Sequence, residues 1–450
     1  MKKLNLIVAL LIVCMAMTGC YNENESRQNV LKIYNWGDYI GEGVLEDFQK
    51  YYKEQTGEDI YIVYQTFDIN EVMLTKIEKG HEDFDVVCPS EYIIERMLHK
   101  DLLLPIDTVF AHSPNYMNGV APYIREQIAQ ISTPDKPVSR YAVCYMWGTA
   151  GLLYNTKYVS AADMSTWDCL WNKRFAGRIL MKDSYRDAYG TALLYAYRKD
   201  LEDGKKTVKQ LMNDYSPAAM DTVEKYLKLL KPNVAGWEAD FGKEMMTKGK
   251  AWINMTWSGD AQWAIDEAES VGVELAYEVP CEGSNIWYDG WVIPKYARNV
   301  KADLEGVDAN LSRRPQPFLC RPDVALRNME EIGYVSSIAS PEIMEARIDT
   351  TLEDYVDASY FFGEIGRHVK LHNTQYPDIS VVNRCSMIRD FGDKTVEVLE
   401  IWQRVKGDNL NSGIVLLIFV VVFALCVWRI HSRWQKYKRQ RMQRRKRRRK

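Results

Sequence analysis

An α/β fold in two lobes, with a ligand cleft between them, is the architecture this sequence predicts. Three observations lead there. The chain has 450 residues, too many for one ordinary core and enough for two. Its apolar runs are short and alternate with helical patterns, which makes parallel βαβ crossovers the natural connection. That alternation lapses and restarts after residues 141–146. A hydrophobic segment at 414–430 adds a C-terminal transmembrane helix to the predicted fold class.

After a polar linker at 21–29, residues 31–34 read as the first strand. Val44, Leu45, Phe48, Tyr51 and Tyr52 fall on one helical face, and Gly57 ends that helix. Residues 60–64 form the next strand, and Val72, Met73 and Ile77 mark a helix closed by Gly80. A third strand at 85–88 stops at Pro89, and Ser90 is placed to cap a helix over 91–97. In the second half, strands are predicted at 179–181 and 251–255, the latter feeding a helix after Gly259. Val223, Tyr226, Leu227 and Leu230 make another helix face, ended by Pro232. Val292 and Ile293 begin a return segment, and 303–317 reads as a loop. Two such units with more than one crossover suit a ligand held between them.

The net charge of -3 hides a polarised distribution. Thirteen of the 58 Lys and Arg, and none of the 61 Asp and Glu, lie in residues 429–450. The remaining chain sets 45 basic against 61 acidic groups and nets -16. An acidic body disfavours nucleic acid and draws cations. Six cysteines (Cys88, Cys144, Cys169, Cys281, Cys320, Cys385) are scattered without a CxxC pair or nearby His, which argues against zinc and leaves thiols and disulfides both open.

Lys2 and Lys3 precede an apolar run over 4–17 that ends in Met17-Thr18-Gly19-Cys20. This describes a secretory signal over 1–19. The final four residues resemble the lipobox of bacterial lipoproteins, with Met17 where Leu is usual and Cys20 as the lipidated residue. Near the other end, residues 414–428 are uncharged and mostly apolar. As a helix they cover about 22 Å of a hydrocarbon core of about 30 Å. Arg429 can snorkel there and Trp428 can sit at an interface, so a span is expected, with 431–450 as a basic cytoplasmic tail.

No nucleophile elbow, phosphate-cradling glycine loop or HExxH string is present, so an enzyme and a cofactor are not expected. Tryptophan instead stands beside aspartate in Trp36-Gly37-Asp38-Tyr39, Trp257-Ser258-Gly259-Asp260 and Trp287-Tyr288-Asp289, each read as following a strand. Strand ends are where open α/β sheets bind ligands. An ammonium leaving water needs a carboxylate in place of its hydration, and an indole face adds attraction while covering methylenes. For any single tryptophan, core packing is the commoner role. The repetition points to a cation-binding cleft.

The strings YNWGDYI (34–40), VVCPSEYIIERM (86–97), YMWGTAGLLYN (145–155), GRILMKDSYRDAYG (177–190), WSGDA (257–261), IWYDGWVIPK (286–295), RPDVA (321–325) and IGYVSS (332–337) resemble the spermidine/putrescine-binding periplasmic proteins, in that family's order and spacing. The resemblance implies a type II periplasmic binding protein fold, with lobe 1 from 30–143 and 290–355 and lobe 2 from 144–289 and 356–405. It implies a polyamine gripped between closing lobes and delivered by a monomeric receptor to ABC transporter permease subunits, on the periplasmic side of the inner membrane. By position, Trp36, Tyr39, Ser90 and Tyr92 match the first lobe's ligand wall. Trp257, Trp287 and Tyr334 match aromatic contacts, and Asp187 and Asp289 match acids that receive ammonium groups. Ser184 departs from an acid common in spermidine binders, and Asp260 compensates in a string similar to that of putrescine-preferring relatives. A receptor of the same fold for another small ligand, with Arg186 facing a carboxylate, and a membrane-tethered sensor are the competing readings.

Overall fold

The computed structural model describes residues 27–106, 119–299 and 318–407. The signal segment at 1–19, Cys20, the loop at 303–317, the span at 414–430 and the tail at 431–450 lie outside those residues. The chain divides into a unit ending at Thr395 and a second beginning at Val396, whose described part belongs to the helix Thr395–Gly407.

The first unit opens with β1 (Val30–Trp36), α1 (Val44–Thr56), β2 (Tyr61–Phe67), α2 (Asn70–Glu78), β3 (Val86–Val87), α3 (Glu91–His99) and β4 (Leu103–Leu104). Helix α1 buries Val44, Phe48, Tyr51 and Tyr52, the face its three-and-four spacing predicts. Gly57 closes it at φ +77°, donating its N–H to the Lys53 carbonyl in a geometry that a β-carbon would strain. Strand β1 pairs in parallel with both β2 and β3, so the crossovers expected from strand–helix alternation are formed.

The later strands are β5 (Ala142–Asn155), β6 (Ile179–Lys182), β7 (Val234–Glu238), β8 (Ile253–Trp257), β9 (Leu275–Glu278), β10 (Ile286–Pro294) and β11 (Val335–Ser336). The accompanying helices that bear on the site are α4 (Tyr185–Ala196), α5 (Pro217–Leu230), α6 (Ser258–Ser270) and α7 (Pro322–Ile332). The strand order is β2-β1-β3-β10-β5-β8-β6-β7. Strand β5 joins the two halves: its residues 142–149 pair with β10, and its residues 150–154 pair with β8. All fourteen of its positions are buried, so it is covered on both faces and shows no alternation of buried and exposed residues.

Each half has its own core. Phe67, Met73, Ile94, Met97, Trp147 and Tyr288 belong to one cluster, and Leu153, Leu180, Met246, Ala261, Ala264 and Ala268 to another. The alanines fall at helical spacing on α6 and present little bulk there. Residues 356–387, expected with the second lobe, contribute Phe361, Leu371, Tyr376 and Met387 to the first of these clusters.

The C-terminal transmembrane helix of the expected fold class is corrected. No helix among the described residues is long and apolar enough to cross a membrane. The longest, α5, has 14 residues. At about 1.5 Å per residue it falls well short of a hydrocarbon core of about 30 Å, and it carries charged, exposed Asp221, Lys225 and Lys228.

Candidate functional site

The site forms where strand ends from both halves meet β10. Trp36 closes β1, and the chain then turns through exposed Asp38, at φ +48°, to bury Tyr39. The Tyr39 hydroxyl donates to Asp289 Oδ2 at 2.7 Å. Asp289 sits inside β10, not after it as the sequence pattern placed it, at a register shift against β5. That irregularity releases residue 289 from regular pairing, and it bridges Ser90 instead. Ser90 does occupy the N-cap position of α3, but its side chain makes no capping bond. Its Oγ accepts from Asn70 Nδ2 at 3.0 Å and stabilises the Asp289 carboxylate. The predicted cap is therefore redirected into the site.

From the other half, Asp187 lies in the first turn of α4, where the helix dipole favours an acid, with its N–H on the Ser184 hydroxyl. Its two oxygens accept from Trp257 Nε1 at 3.1 Å and Asn285 Nδ2 at 2.9 Å. Trp257 ends β8 and Asp260 opens α6. Between them Gly259 has a packing reason: a β-carbon there would come within 2.2 Å of the Tyr334 ring. Tyr334 thus lies over the start of α6 and donates to Asp260 Oδ1 at 2.7 Å.

Aromatic contacts complete the connection. Trp36 meets Trp257 edge-on at 6.2 Å, and Tyr334 packs against Tyr39 at 5.1 Å and Trp287 at 5.6 Å. Tyr92 joins through Asn70, which donates to its hydroxyl at 3.1 Å, while that hydroxyl donates to Glu71 at 3.0 Å. All ten residues singled out from the sequence (Trp36, Tyr39, Ser90, Tyr92, Asp187, Trp257, Asp260, Trp287, Asp289 and Tyr334) are brought into one contact network. Asp38 of the first Trp–Asp string is not; it faces solvent.

Electrostatics separate the three acids. Burial pushes the Asp289 carboxyl up to about 6, against the stabilising hydrogen bonds from Tyr39 and Ser90. Among the described residues its Oδ1 is buried without a hydrogen-bond partner, as are the indole nitrogens of Trp36 and Trp287. Burial also acts on Asp260, but the charges of Lys182 and Lys243 outweigh it and hold that carboxyl below its ordinary value. Lys182 was not anticipated. Its ammonium, 1% exposed, contacts Asp260 Oδ2 at 2.6 Å and Glu238 at 3.3 Å, and lies 4.4 Å from the Trp257 ring centre. The one signal available was a lysine directly continuing the apolar strand predicted at 179–181.

Arg186 is buried with its guanidinium 3.3 Å from the Phe391 ring centre, and it donates to the Arg389 carbonyl. The six described cysteines outside the terminal segments are free thiols. Among the described residues, no group of three or more His, Cys, Asp or Glu is placed to hold a metal ion.

A sequence profile described as bacterial extracellular solute-binding protein matches residues 46–302. The spermidine/putrescine-binding periplasmic protein of Salmonella typhimurium is 27% identical over 391 residues, covering 86% of this chain and 95% of that protein. The putrescine-binding periplasmic protein PotF of Escherichia coli is 26% identical over 69% of this chain and 79% of its own length. Among solved structures, the spermidine/putrescine transporter substrate-binding protein PotD of Streptococcus pneumoniae superposes with a TM-score of 0.60 at 28% identity, covering 84% of this chain and 98% of that one. The TpPotD lipoprotein of Treponema pallidum, at 22% identity and a TM-score of 0.62, shares the fold. With two α/β halves joined through β5 and a profile match over more than half its length, the chain belongs to the bacterial extracellular solute-binding protein family.

Proposed function

We infer that this chain is a polyamine receptor that binds its ligand between the two halves and hands it to an ABC importer. One observation carries the ligand class. Asp289 and Asp187 are buried among tryptophan and tyrosine rings, and neither forms an ion pair with a protein cation among the described residues. Asp289 Oδ1 has no hydrogen-bond partner among the described residues. A buried carboxylate without a counter-charge is costly, and an arriving ammonium relieves that cost through a charge-assisted hydrogen bond. The curated relatives named for spermidine and putrescine support the same class.

In this reading Asp289 and Asp187 receive ammonium groups, with Tyr39 and Ser90 orienting the first and Asn285 the second. Trp36, Trp257, Trp287, Tyr92 and Tyr334 enclose the methylenes, and Asp260 tunes one end. The role is capture and delivery, not catalysis. Closure of the halves excludes water and presents a closed form to the permease. A lipid on Cys20 tethers the mature chain, as a monomer, on the periplasmic side of the membrane.

The test is titration calorimetry of putrescine and spermidine against wild type and Asp289→Asn. The variant keeps the shape and removes the charge, and the loss expected is about 1.5–3 kcal/mol, roughly ten- to a hundredfold in Kd. Unchanged affinity in that variant would refute the assignment.

A further inference from the structure

The sequence left open whether a short diamine or a longer triamine is the better ligand, and the deciding group is one that no motif named. Lys182 ends β6, and β7 and β8 flank that strand. Glu238 at the end of β7 and Asp260 just beyond β8 therefore converge on its ammonium, at 3.3 Å and 2.6 Å. Lys182 Nζ also lies 4.4 Å from the centre of the Trp257 ring. A carboxylate pair and an indole face around one ammonium are the surroundings a polyamine nitrogen needs. The protein's own side chain already occupies them.

Charge matching follows. Lys182 is shared between Asp260 and Glu238, and half-buried Lys243, paired with exposed Asp240 at 2.9 Å, lies 3.9 Å from Asp260 Oδ1, so Asp260 has two protein ammonium groups beside it. Asp187 and Asp289 remain without a protein cation among the described residues. Of the other buried acids nearby, Glu91 and Glu71 are both pushed toward their neutral forms by burial; Glu91 accepts the Tyr288 N–H and Glu71 accepts the Tyr92 hydroxyl. Two uncompensated carboxylates match two ammonium groups. A third ammonium placed near Asp260 would meet Lys182 as a like charge at short range.

We propose that Lys182 is a specificity-determining residue: as a built-in ammonium on Asp260 and Trp257 it fills the third cation position of the cleft and selects a diamine over a triamine. This rests on the polyamine reading above. It makes Asp260 an acid engaged by the protein, not by the ligand.

Calorimetry of the full chain with putrescine and spermidine tests it, using wild type, Lys182→Met and the double variant Lys182→Met with Glu238→Gln. Wild type is expected to bind the diamine at least about tenfold more tightly than the triamine, the scale of one buried charge conflict. Lys182→Met frees Asp260 and is expected to shift the triamine-to-diamine preference at least about tenfold toward the triamine. The double variant, which leaves Asp260 as the single freed charge, carries the same expectation with less strain on folding. An unchanged preference in a folded variant overturns the proposal while leaving the polyamine reading intact. So does a wild type that binds the triamine as tightly as the diamine, a comparison independent of whether any variant folds. A wild type that binds neither compound overturns both.

Discussion

The affinity of this receptor for a diamine is expected to fall as pH drops through 6, and Asp289 is the reason. Burial raises its carboxyl from an ordinary 3.8 to about 6 in the ligand-free protein. A shift of that size corresponds to about 3 kcal/mol, at about 1.4 kcal/mol per pH unit. The sign is fixed by proton counts. Between about pH 4 and pH 6 the folded, empty protein binds more protons at this site than the unfolded chain does. Its contribution to stability is therefore fully present below about pH 4 and is lost as pH rises through about 6.

A bound ammonium reverses this, because it favours the ionised carboxylate. The ligand amines stay protonated throughout, having pKa values near those of lysine, about 10. Binding below pH 6 must therefore expel the Asp289 proton. At pH 5, one unit below the site's pKa, Kd is expected to be about tenfold weaker than at pH 7.5. Titrations at pH 5, 6 and 7.5, each in two buffers of different ionisation enthalpy, read both the affinity and the proton released. The release should approach about half a proton per ligand near pH 6. In Asp289→Asn the slope and the released proton should both vanish. A wild-type affinity flat from pH 7.5 to 5, or a slope that survives in the variant, would refute the argument.

Other outcomes follow from the same geometry. Gly259→Ala drives a methyl into the Tyr334 ring and is expected to cost about 1–3 kcal/mol of stability and to weaken binding, read by thermal unfolding and calorimetry together. Trp287→Leu keeps apolar bulk but removes the indole, and is expected to raise Kd by about twofold to thirtyfold, the range of about 0.5–2 kcal/mol for a cation on an aromatic face. Exposed Cys281 should react with a thiol reagent in the native protein, whereas buried Cys88, Cys144, Cys169 and Cys320 should react only on unfolding, as mass spectrometry of the labelled chain can show.

Much of this protein was legible one residue at a time. Helix α1 could be read because Val44, Phe48, Tyr51 and Tyr52 recur at helical spacing and Gly57 can adopt the left-handed turn that ends it. The strands β1, β2 and β6 could be read because short apolar runs between such helices have few other conformations open to them. The tryptophan–aspartate strings and the family-like order of motifs marked the binding residues, because aromatic faces beside acids are a local signature of cation chemistry.

What depends on meetings across the chain was settled only by the tertiary structure. Ser90 reads as a helix cap, yet β10 brings Asp289 to it from nearly 200 residues away, and a full charge competes for the hydroxyl. Asp187, Asp260 and Asp289 look alike in the sequence. Only the packing of β6 between β7 and β8 gives Asp260 a lysine and leaves the other two without one. Local sequence determines backbone preference and the chemistry a side chain can offer, whereas charge balance is a sum over neighbours that the chain brings together only by folding.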